Sequence, residues 1–250
     1  MRRAALIVSL ALALPGVAGA DPSQPGIVHA PRPKGASLRQ WGADLYAGNC
    51  LKCHGPNGEG QPKKGPALKG VGAQAGDFYL HTGYMPLASP DDQPTRSPVL
   101  FSNREIDALV AYVGSLGGPA IPTPHPDRGS LSNGQQLFTS HCAGCHQVVA
   151  QGGYVKGAVV PELESATPRQ IAEAVRIGPY LMPRFSSKAI SDRQLDSIIA
   201  YVQYAKHPED PGGWSLGHVG PVPEGLVTWL IAGVVLVGLC VVIGERLRRE

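Results

Sequence analysis

The sequence predicts a mainly α-helical chain in which two similar domains precede one membrane-spanning helix. Each copy ends in an amphipathic segment with helical spacing, and residues 226–244 form an apolar run near the C-terminus in which Thr228 is the one polar side chain. A shift of 92 residues superimposes the two copies, which match at Gly42, Leu45, Tyr46, Cys50, Cys53 and His54 in the first and Gly134, Leu137, Phe138, Cys142, Cys145 and His146 in the second.

The closing segment of each copy begins with a capping-box pattern, in which a serine is followed three residues later by Glu or Gln. These pairs are Ser102 with Glu105 and Ser191 with Gln194, and they predict helix starts. The apolar residues that follow recur at i, i+3, i+4 and i+7, which is one face of a helix. They are Ile106, Leu109, Val110 and Val113 in the first copy, and Leu195, Ile198, Ile199 and Val202 in the second.

A further helix is predicted after Thr167, because Pro168 suits the first helical position. Few segments alternate apolar and polar residues as a half-buried strand does, so we expect little β-structure.

Two pentapeptides of the form Cys-x-x-Cys-His, at residues 50–54 and 142–146, use four of the five cysteines. This pattern is the attachment signature of a c-type haem. The thiols form thioethers with the haem vinyl groups, and the adjacent histidine can ligate the iron. A four-cysteine zinc ribbon and a thioredoxin-like redox pair are the alternatives, but neither requires a histidine directly after each pair. The sequence therefore predicts two covalently bound haem c groups, attached at Cys50, Cys53, Cys142 and Cys145 and ligated by His54 and His146.

Two methionines follow these motifs at similar distances. Met85 lies 31 residues after His54, Met182 lies 36 residues after His146, and each precedes a proline. A thioether is an axial ligand that raises the haem potential, whereas the alternative role of a methionine is to fill gaps in a core. Because the only other methionine is Met1, the pattern favours Met85 and Met182 as axial iron ligands.

Prolines also recur after each motif, at Pro66 and Pro161. A ligating imidazole normally donates its second N–H to a backbone or carboxylate oxygen, which fixes the orientation of the ring. We expect the carbonyls of Pro66 and Pro161 to accept these hydrogen bonds; a simple turn role is the competing interpretation.

Both ends of the chain indicate export and anchoring. Residues 1–20 combine Arg2 and Arg3, a short apolar run and a small-residue cleavage site, which is typical of a secretory signal. An uncleaved anchor is disfavoured because Pro15 interrupts a run too short to span a bilayer. Residues 226–244 are long enough to span one, and the arginines of the tail favour a cytoplasmic C-terminus; a buried soluble helix is the alternative. Cys240 lies inside this span as an apolar packing residue.

The predicted organisation of the chain has eight parts. They are a signal peptide (1–20), a Pro-rich linker (21–38), a first domain (39–118), a linker (119–130), a second domain (131–207), a Gly/Pro linker (208–224), a transmembrane helix (225–244) and a cytoplasmic tail (245–250).

Charge says little about partners. The formal net charge of +3 comes from the signal region and the tail, which leaves the exported part neutral, and nothing indicates nucleic-acid binding. Four lysines around the first Cys-x-x-Cys-His motif either steer an acidic partner or form an ordinary solvated surface. These are Lys52, Lys63, Lys64 and Lys69.

The order of helices, motifs and methionines resembles class I cytochrome c domains, in which the terminal helices cross and the haem fills the centre. The whole layout from about Gly42 onward, including Gly83–Pro86, Ser191–Val202 and the run at 211–225 before the anchor, resembles the dihaem cytochrome cc subunit of the actinobacterial-type menaquinol–cytochrome c reductase, the cytochrome bcc complex. The fold class is therefore expected to be two tandem class I cytochrome c domains plus one C-terminal transmembrane helix.

That resemblance implies partners which this chain does not encode. A Rieske iron–sulfur subunit would reduce the first haem, a cytochrome b subunit would hold the quinol sites, and the second haem would deliver electrons to the copper centre of a haem–copper terminal oxidase. The chain would then be the electron-transfer subunit of a proton-translocating quinol–cytochrome c reductase, with no substrate site of its own, in a complex expected to be dimeric. Its haem domains would lie on the extracytoplasmic side of the cell membrane.

Two other functions stay open. The chain is alternatively a tethered dihaem carrier for another oxidase or a dehydrogenase. A dihaem peroxidase is the enzyme alternative, and it would need one haem without its methionine; His81, four residues before Met85, is the candidate replacement ligand. Iron capped by methionine leaves no open position for a substrate, which favours the carrier.

Overall fold

A computed structural model describes residues 26–206 and 221–249. The predicted signal peptide, residues 21–25 of the first linker, residue 207 of the second domain, residues 208–220 of the last linker and residue 250 of the tail lie outside the described residues. The chain divides into two compact units, one ending at Lys206 and one containing the C-terminal helix. The first unit has two hydrophobic cores, one in each copy of the repeat.

The described residues are mostly helical. The helices are α1 (Leu38–Asn49), α2 (Leu51–His54), α3 (Gly72–His81), α4 (Asn103–Ser115), α5 (Leu131–His141), α6 (Ala143–His146), α7 (Pro168–Ile177), α8 (Asp192–Lys206) and α9 (Pro221–Leu247), with a short 3₁₀ turn at Pro126–Arg128 and two strands, β1 (Gly153–Val155) and β2 (Ala158–Val160).

The two copies are built on the same helix crossing. In the first copy α1 packs against α4, and in the second α5 packs against α8. The stripes predicted from the sequence form the buried face of α4 and of α8, so that prediction is confirmed. A glycine lies at each crossing: a Cβ on Gly42 would overlap the carbonyl oxygen of Ala108, and one on Gly134 would overlap that of Ser197.

The predicted capping boxes are present. The side chains of Ser102 and Glu105 each accept a hydrogen bond from the other residue's backbone N–H. Thr167 and Gln170 make the same two bonds at the start of α7. Ser191 and Gln194 make the same pair of bonds at the start of α8. These boxes satisfy amide groups that the first turn of a helix leaves without partners.

Helix α3 and the β1–β2 pair were not predicted from the sequence. Helix α3 has no side-chain cap, since Val71 is at its N-cap and Gly72 opens it with a φ of +82°. The antiparallel pair β1–β2 is only three residues long on each side, and Tyr154 and Val159 on it are exposed, so alternation over such a short length gives no clear signal.

The Pro-rich segment at 26–37 lies against the first domain. Trp41 Nε1 donates to the Ala30 carbonyl at 2.8 Å, and the Asn49 amide exchanges two hydrogen bonds with the backbone of Val28. His29 Nδ1 lies 2.8 Å from a carboxylate oxygen of Glu105. The described part of this predicted linker is therefore attached to the domain that it precedes.

Helix α9 contains the described segment suited to crossing a membrane. Gly225–Leu247 is 23 residues long with a mean hydropathy of 2.8, and its side chains are exposed along the helix from Leu226 onward. By length and composition this segment fits the predicted span.

We expect Gly42→Ala and Gly134→Ala each to lower the free energy of unfolding of their domain by about 1–3 kcal/mol, because the added methyl forces the crossing helices apart. Thermal unfolding of the haem-loaded protein measures this effect. Gly76→Ala in α3 is the matched control, since its Cβ would meet Val113 at an ordinary 3.5 Å and alanine favours helix by roughly 1 kcal/mol. Unchanged unfolding temperatures in both crossing variants would contradict the close approach.

Candidate haem-binding sites

Each Cys-x-x-Cys-His motif forms a single helical turn that directly follows the first helix of its domain. In the first, the His54 amide donates to the Cys50 carbonyl at 2.9 Å; in the second, His146 and Cys142 make the same bond at 2.9 Å. The cysteines of each pair are three residues apart on this turn, so their thiols share one face. All four thiols are free of disulfides.

The histidine of each motif is oriented by a proline carbonyl. His54 Nδ1 lies 2.8 Å from the Pro66 oxygen, and His146 Nδ1 lies 3.2 Å from the Pro161 oxygen. The predicted acceptors are confirmed. Because a carbonyl can only accept, Nδ1 carries the proton and Nε2 keeps the lone pair that a metal ligand needs. Burial lowers the pKa of His146, with the Pro161 carbonyl opposing the effect, which favours the neutral ring.

The thiol pKa values and the positions of the two cysteine pairs argue against a redox-active pair and against a four-cysteine zinc site. Burial, and secondarily Cys53, raises the pKa of Cys50 to about 12, and burial with Cys145 raises that of Cys142 to about 11. A redox-active cysteine pair needs a lowered thiol pKa. A four-cysteine zinc site needs both pairs together, yet Cys50 and Cys142 pack against different cores.

Met85 and Met182 each pack against the hydrophobic core of their own copy. Met85 packs against the same core as Cys50, and Met182 against the same core as Cys142. Both methionines are only half-buried, whereas a methionine that simply filled a gap would be enclosed. The structure therefore brings the first thiol of each motif and one thioether to the same core.

Arg176 holds the loop that carries Met182, and sequence reasoning did not single it out. One guanidinium nitrogen, Nη1, donates to the carbonyls of Phe185 (3.2 Å) and Ile190 (2.8 Å), while Nη2 pairs with Asp192 at 2.6 Å. The side chain is only 14 % exposed. These bonds tie the loop after α7 to the start of α8, and an isolated arginine in the sequence gives no sign of them.

The turn after each histidine is held by a tyrosine hydroxyl, but the two copies supply it from different helices. In the first, Tyr46 on α1 donates to the Gly55 carbonyl at 2.6 Å. In the second, Phe138 replaces that tyrosine, and Tyr201 on α8 donates to the Val148 carbonyl at 2.8 Å. The ring pairs are otherwise alike, with centroids 4.8 Å apart for Tyr46–Tyr112 and 5.4 Å for Phe138–Tyr201.

His81 pairs with Asp77 through one ring nitrogen. Its Nδ1 lies 3.2 Å from the carbonyl and 3.1 Å from a carboxylate oxygen of Asp77. Both contacts use Nδ1, the nitrogen that the proline carbonyls engage in His54 and His146, so Nε2 is the nitrogen that a replacement ligand would use.

The residues at both sites suit haem c. Unpaired thiols three residues apart, an imidazole with its Nδ1 committed to a carbonyl, and a nearby thioether are the groups by which a c-type haem is attached and ligated.

Comparison with known proteins agrees with this chemistry. A cytochrome c family model matches residues 40–117, and a model described as cytochrome c oxidase, cbb3-type, subunit III matches residues 129–202. The predicted pair of cytochrome c domains is confirmed, and two domains indicate two haem c groups. The solved structure of reduced cytochrome c4 from Pseudomonas stutzeri, 20 % identical, covers 66 % of this chain and 97 % of its own, but its TM-score of 0.25 carries no weight.

Relatives extend over nearly the whole chain. The cytochrome bc1 complex cytochrome c subunit of Mycobacterium tuberculosis is 38 % identical over 96 % of this chain and 89 % of that protein. The proteins of the same name from Mycobacterium leprae and Corynebacterium diphtheriae are 37 % and 36 % identical, each over 84 % of this chain, and the matches cover 76 % and 82 % of those proteins. The chain therefore belongs to the family of cytochrome c subunits of cytochrome bc1 complexes, and it is an electron carrier with two cytochrome c domains.

Proposed function

We propose that this chain is the membrane-anchored dihaem subunit of a quinol–cytochrome c reductase, which receives electrons from a Rieske iron–sulfur centre and delivers them to the copper centre of a haem–copper terminal oxidase. The observation that carries the proposal is the repeated site, in which each motif histidine donates to a proline carbonyl and a methionine packs on the same core. Two such sites in one compact unit suit a relay.

The side chains have separate tasks. Cys50 and Cys53 would hold the first haem through thioether bonds, and Cys142 and Cys145 would hold the second. His54 and Met85 would ligate the iron of the first haem, and His146 and Met182 that of the second. Haem c supplies a one-electron couple when bound. Since the chain itself would supply two ligands to each iron, neither site would offer a place for a substrate, so the subunit would carry electrons and the chemistry on quinol would belong to its partners.

Anchoring supports the same role. Gly225–Leu247 is suited by length and composition to span the membrane, and the arginines near the end of the chain favour a cytoplasmic C-terminus. The haem domains would then lie outside the cytoplasmic membrane, which agrees with a signal sequence at residues 1–20. A tether keeps the carrier at high effective concentration beside membrane partners.

The partners follow from the names of the relatives, which are subunits of a cytochrome bc1 complex. Within that complex the proposed partners are a cytochrome b subunit and a Rieske subunit, and the proposed electron acceptor is a terminal oxidase. Proton translocation would be a property of the whole complex. A carrier that serves an oxidase without a bc1 complex is the second candidate, because the model matching residues 129–202 is described as an oxidase subunit. The longer matches to bc1 subunits favour the first.

Purification of the tagged full-length chain from membranes in mild detergent separates these candidates. We expect a cytochrome b, a Rieske protein and a haem–copper oxidase to copurify, and a quinol to reduce both haems of the preparation. An identically tagged single-span protein serves as control. Copurification with an oxidase or dehydrogenase and without cytochrome b would overturn the proposal.

We expect Met85→Ala and Met182→Ala each to abolish one methionine-to-iron band in the near-infrared spectrum and to lower the potential of one haem, because the thioether ligand raises it. Leu181→Ala, a change at an exposed neighbour of Met182, is the control and should keep both bands. A methionine variant with both bands intact would show that the residue is not a ligand.

Arg176→Leu should destabilise the second domain by roughly 2–3 kcal/mol, because two carbonyls lose a charged donor. The band assigned to Met182 should weaken first on heating, while that of Met85 is unchanged. Arg193→Leu, on the exposed face of α8, is the matched control. If each band is lost at the same temperature in Arg176→Leu as in the unaltered protein, Arg176 has no role in holding the Met182 loop.

A further inference from the structure

The two cytochrome domains contact each other through α3 of the first and α7 of the second. These helices precede Met85 and Met182, respectively. Around the contact, Arg96 Nη1 donates to the Ser165 hydroxyl at 2.8 Å, and Arg169 Nη1 lies 3.9 Å from a carboxylate oxygen of Asp77. The domain contact is therefore polar, and its charges come from both domains.

A carboxyl group lies buried in this contact. Glu173, on α7, is 0 % exposed. In the described part of the chain, neither of its carboxyl oxygens has a hydrogen-bond donor. Its side-chain neighbour is the carboxyl group of Asp77 on α3, itself only 5 % exposed. Two ionised carboxylates only accept, so the pair forms a hydrogen bond only when one of them holds a proton.

The neighbouring groups determine which carboxyl holds it. Asp77 has two positive or polar neighbours of its own, since His81 Nδ1 lies 3.1 Å from Oδ1 and Arg169 Nη1 lies 3.9 Å from Oδ2. Among the described residues Glu173 has none that close. Burial, followed by the interaction with Asp77, raises its pKa to about 9, with Arg169 opposing. Helix α8 also packs on α7, but its charged side chains are bonded to other groups or exposed. Asp192 pairs with Arg176, Asp196 accepts from the His125 amide, and Lys206 donates to the Ala166 carbonyl. Arg193 lies on the exposed face of the helix.

We propose that Glu173 and Asp77 are positioning residues for electron transfer between the two haem domains, in which the Glu173 carboxylic acid donates a hydrogen bond to the Asp77 carboxylate and so fixes one domain against the other. The transfer role rests on the proposed function, since it assumes that electrons pass between the domains. When Glu173 releases its proton to water, two like charges face each other in a dry contact. The hydrogen bond is lost and the contact weakens.

The direction of the pH dependence follows from linkage. Glu173 in the docked state keeps its proton up to about pH 9, whereas in water it loses it near its ordinary value of 4.5. Between these values the docked state binds one more proton than the separated state, so docking weakens as the pH rises through this window. Two clefts lined by Asp77 and Arg169 border the contact, which gives water access to the edge of the pair.

Infrared spectroscopy of the haem-loaded full-length protein tests the shared proton directly. We expect a carbonyl stretch of a buried carboxylic acid at pH 7 that disappears above about pH 9, as the pKa of Glu173 requires. Glu173→Gln should lack that band at every pH, whereas Glu164→Gln, a change at an exposed glutamate in the same domain, should keep it. A Glu173→Gln protein that retains the band overturns the proposal, as does an unaltered protein without it.

The positioning role has its own readout, the rate of electron equilibration between the haems after photoreduction. In the unaltered protein this rate should fall several-fold between pH 7 and pH 10. Glu173→Gln should keep the rate that the unaltered protein has at pH 7 over the whole pH range, because its amide donates the same hydrogen bond and cannot ionise. Glu173→Leu should equilibrate slowly at every pH. Asp77→Asn is the second variant in case Glu173→Gln folds poorly. Its amide can still donate to the Glu173 carboxylate, so the fall in rate between pH 7 and pH 10 should be smaller than in the unaltered protein.

The two measurements separate this proposal from the proposed function. The infrared band reports the shared proton whether or not electrons pass between the haems, and reduction of the complex by quinol does not depend on Glu173. A rate that responds to pH equally in the unaltered protein and in Glu173→Gln rejects the positioning role even if the chain is a relay.

Discussion

The close crossing of the first and last helix of each cytochrome domain is the constraint from which the rest of the structure follows. At Gly42 and Gly134 the backbone of one helix touches a carbonyl of the other, with no room for a side chain. This contact brings the end of the first helix beside the buried face of the last. Since the Cys-x-x-Cys-His turn follows that helix end directly, the crossing also sets where the thiols and the imidazole lie.

The two domains preserve the geometry of the site while exchanging the residues that support it. The hydroxyl that holds the turn after the histidine comes from Tyr46 on the first helix of one domain and from Tyr201 on the last helix of the other. The position after the histidine is Gly55 in the first domain and Gln147 in the second, with φ values of 78° and 60°. A side chain in that conformation is strained by about 1–3 kcal/mol, so the second turn depends more heavily on its surrounding contacts.

The features that the sequence predicts best are those set by residues close together in the chain. Capping boxes, apolar stripes and the prolines at 66 and 161 were all confirmed, because each is a short-range relation with one favoured geometry. Helix α3 was missed because Val71 cannot cap and Gly72 weakens the helical signal. The pairing of Glu173 with Asp77 was also missed, since the two residues are far apart in sequence and meet only when the domains dock. The contacts of residues 26–31 were hidden by a composition typical of linkers.

The histidine of each Cys-x-x-Cys-His motif takes its orientation from a main-chain oxygen, that of Pro66 in one domain and that of Pro161 in the other. A carboxylate in the same place would draw electron density toward the imidazole and could be removed by one substitution. A peptide carbonyl persists whatever side chain its residue bears. The ring orientation is thereby insulated from most point changes in these loops.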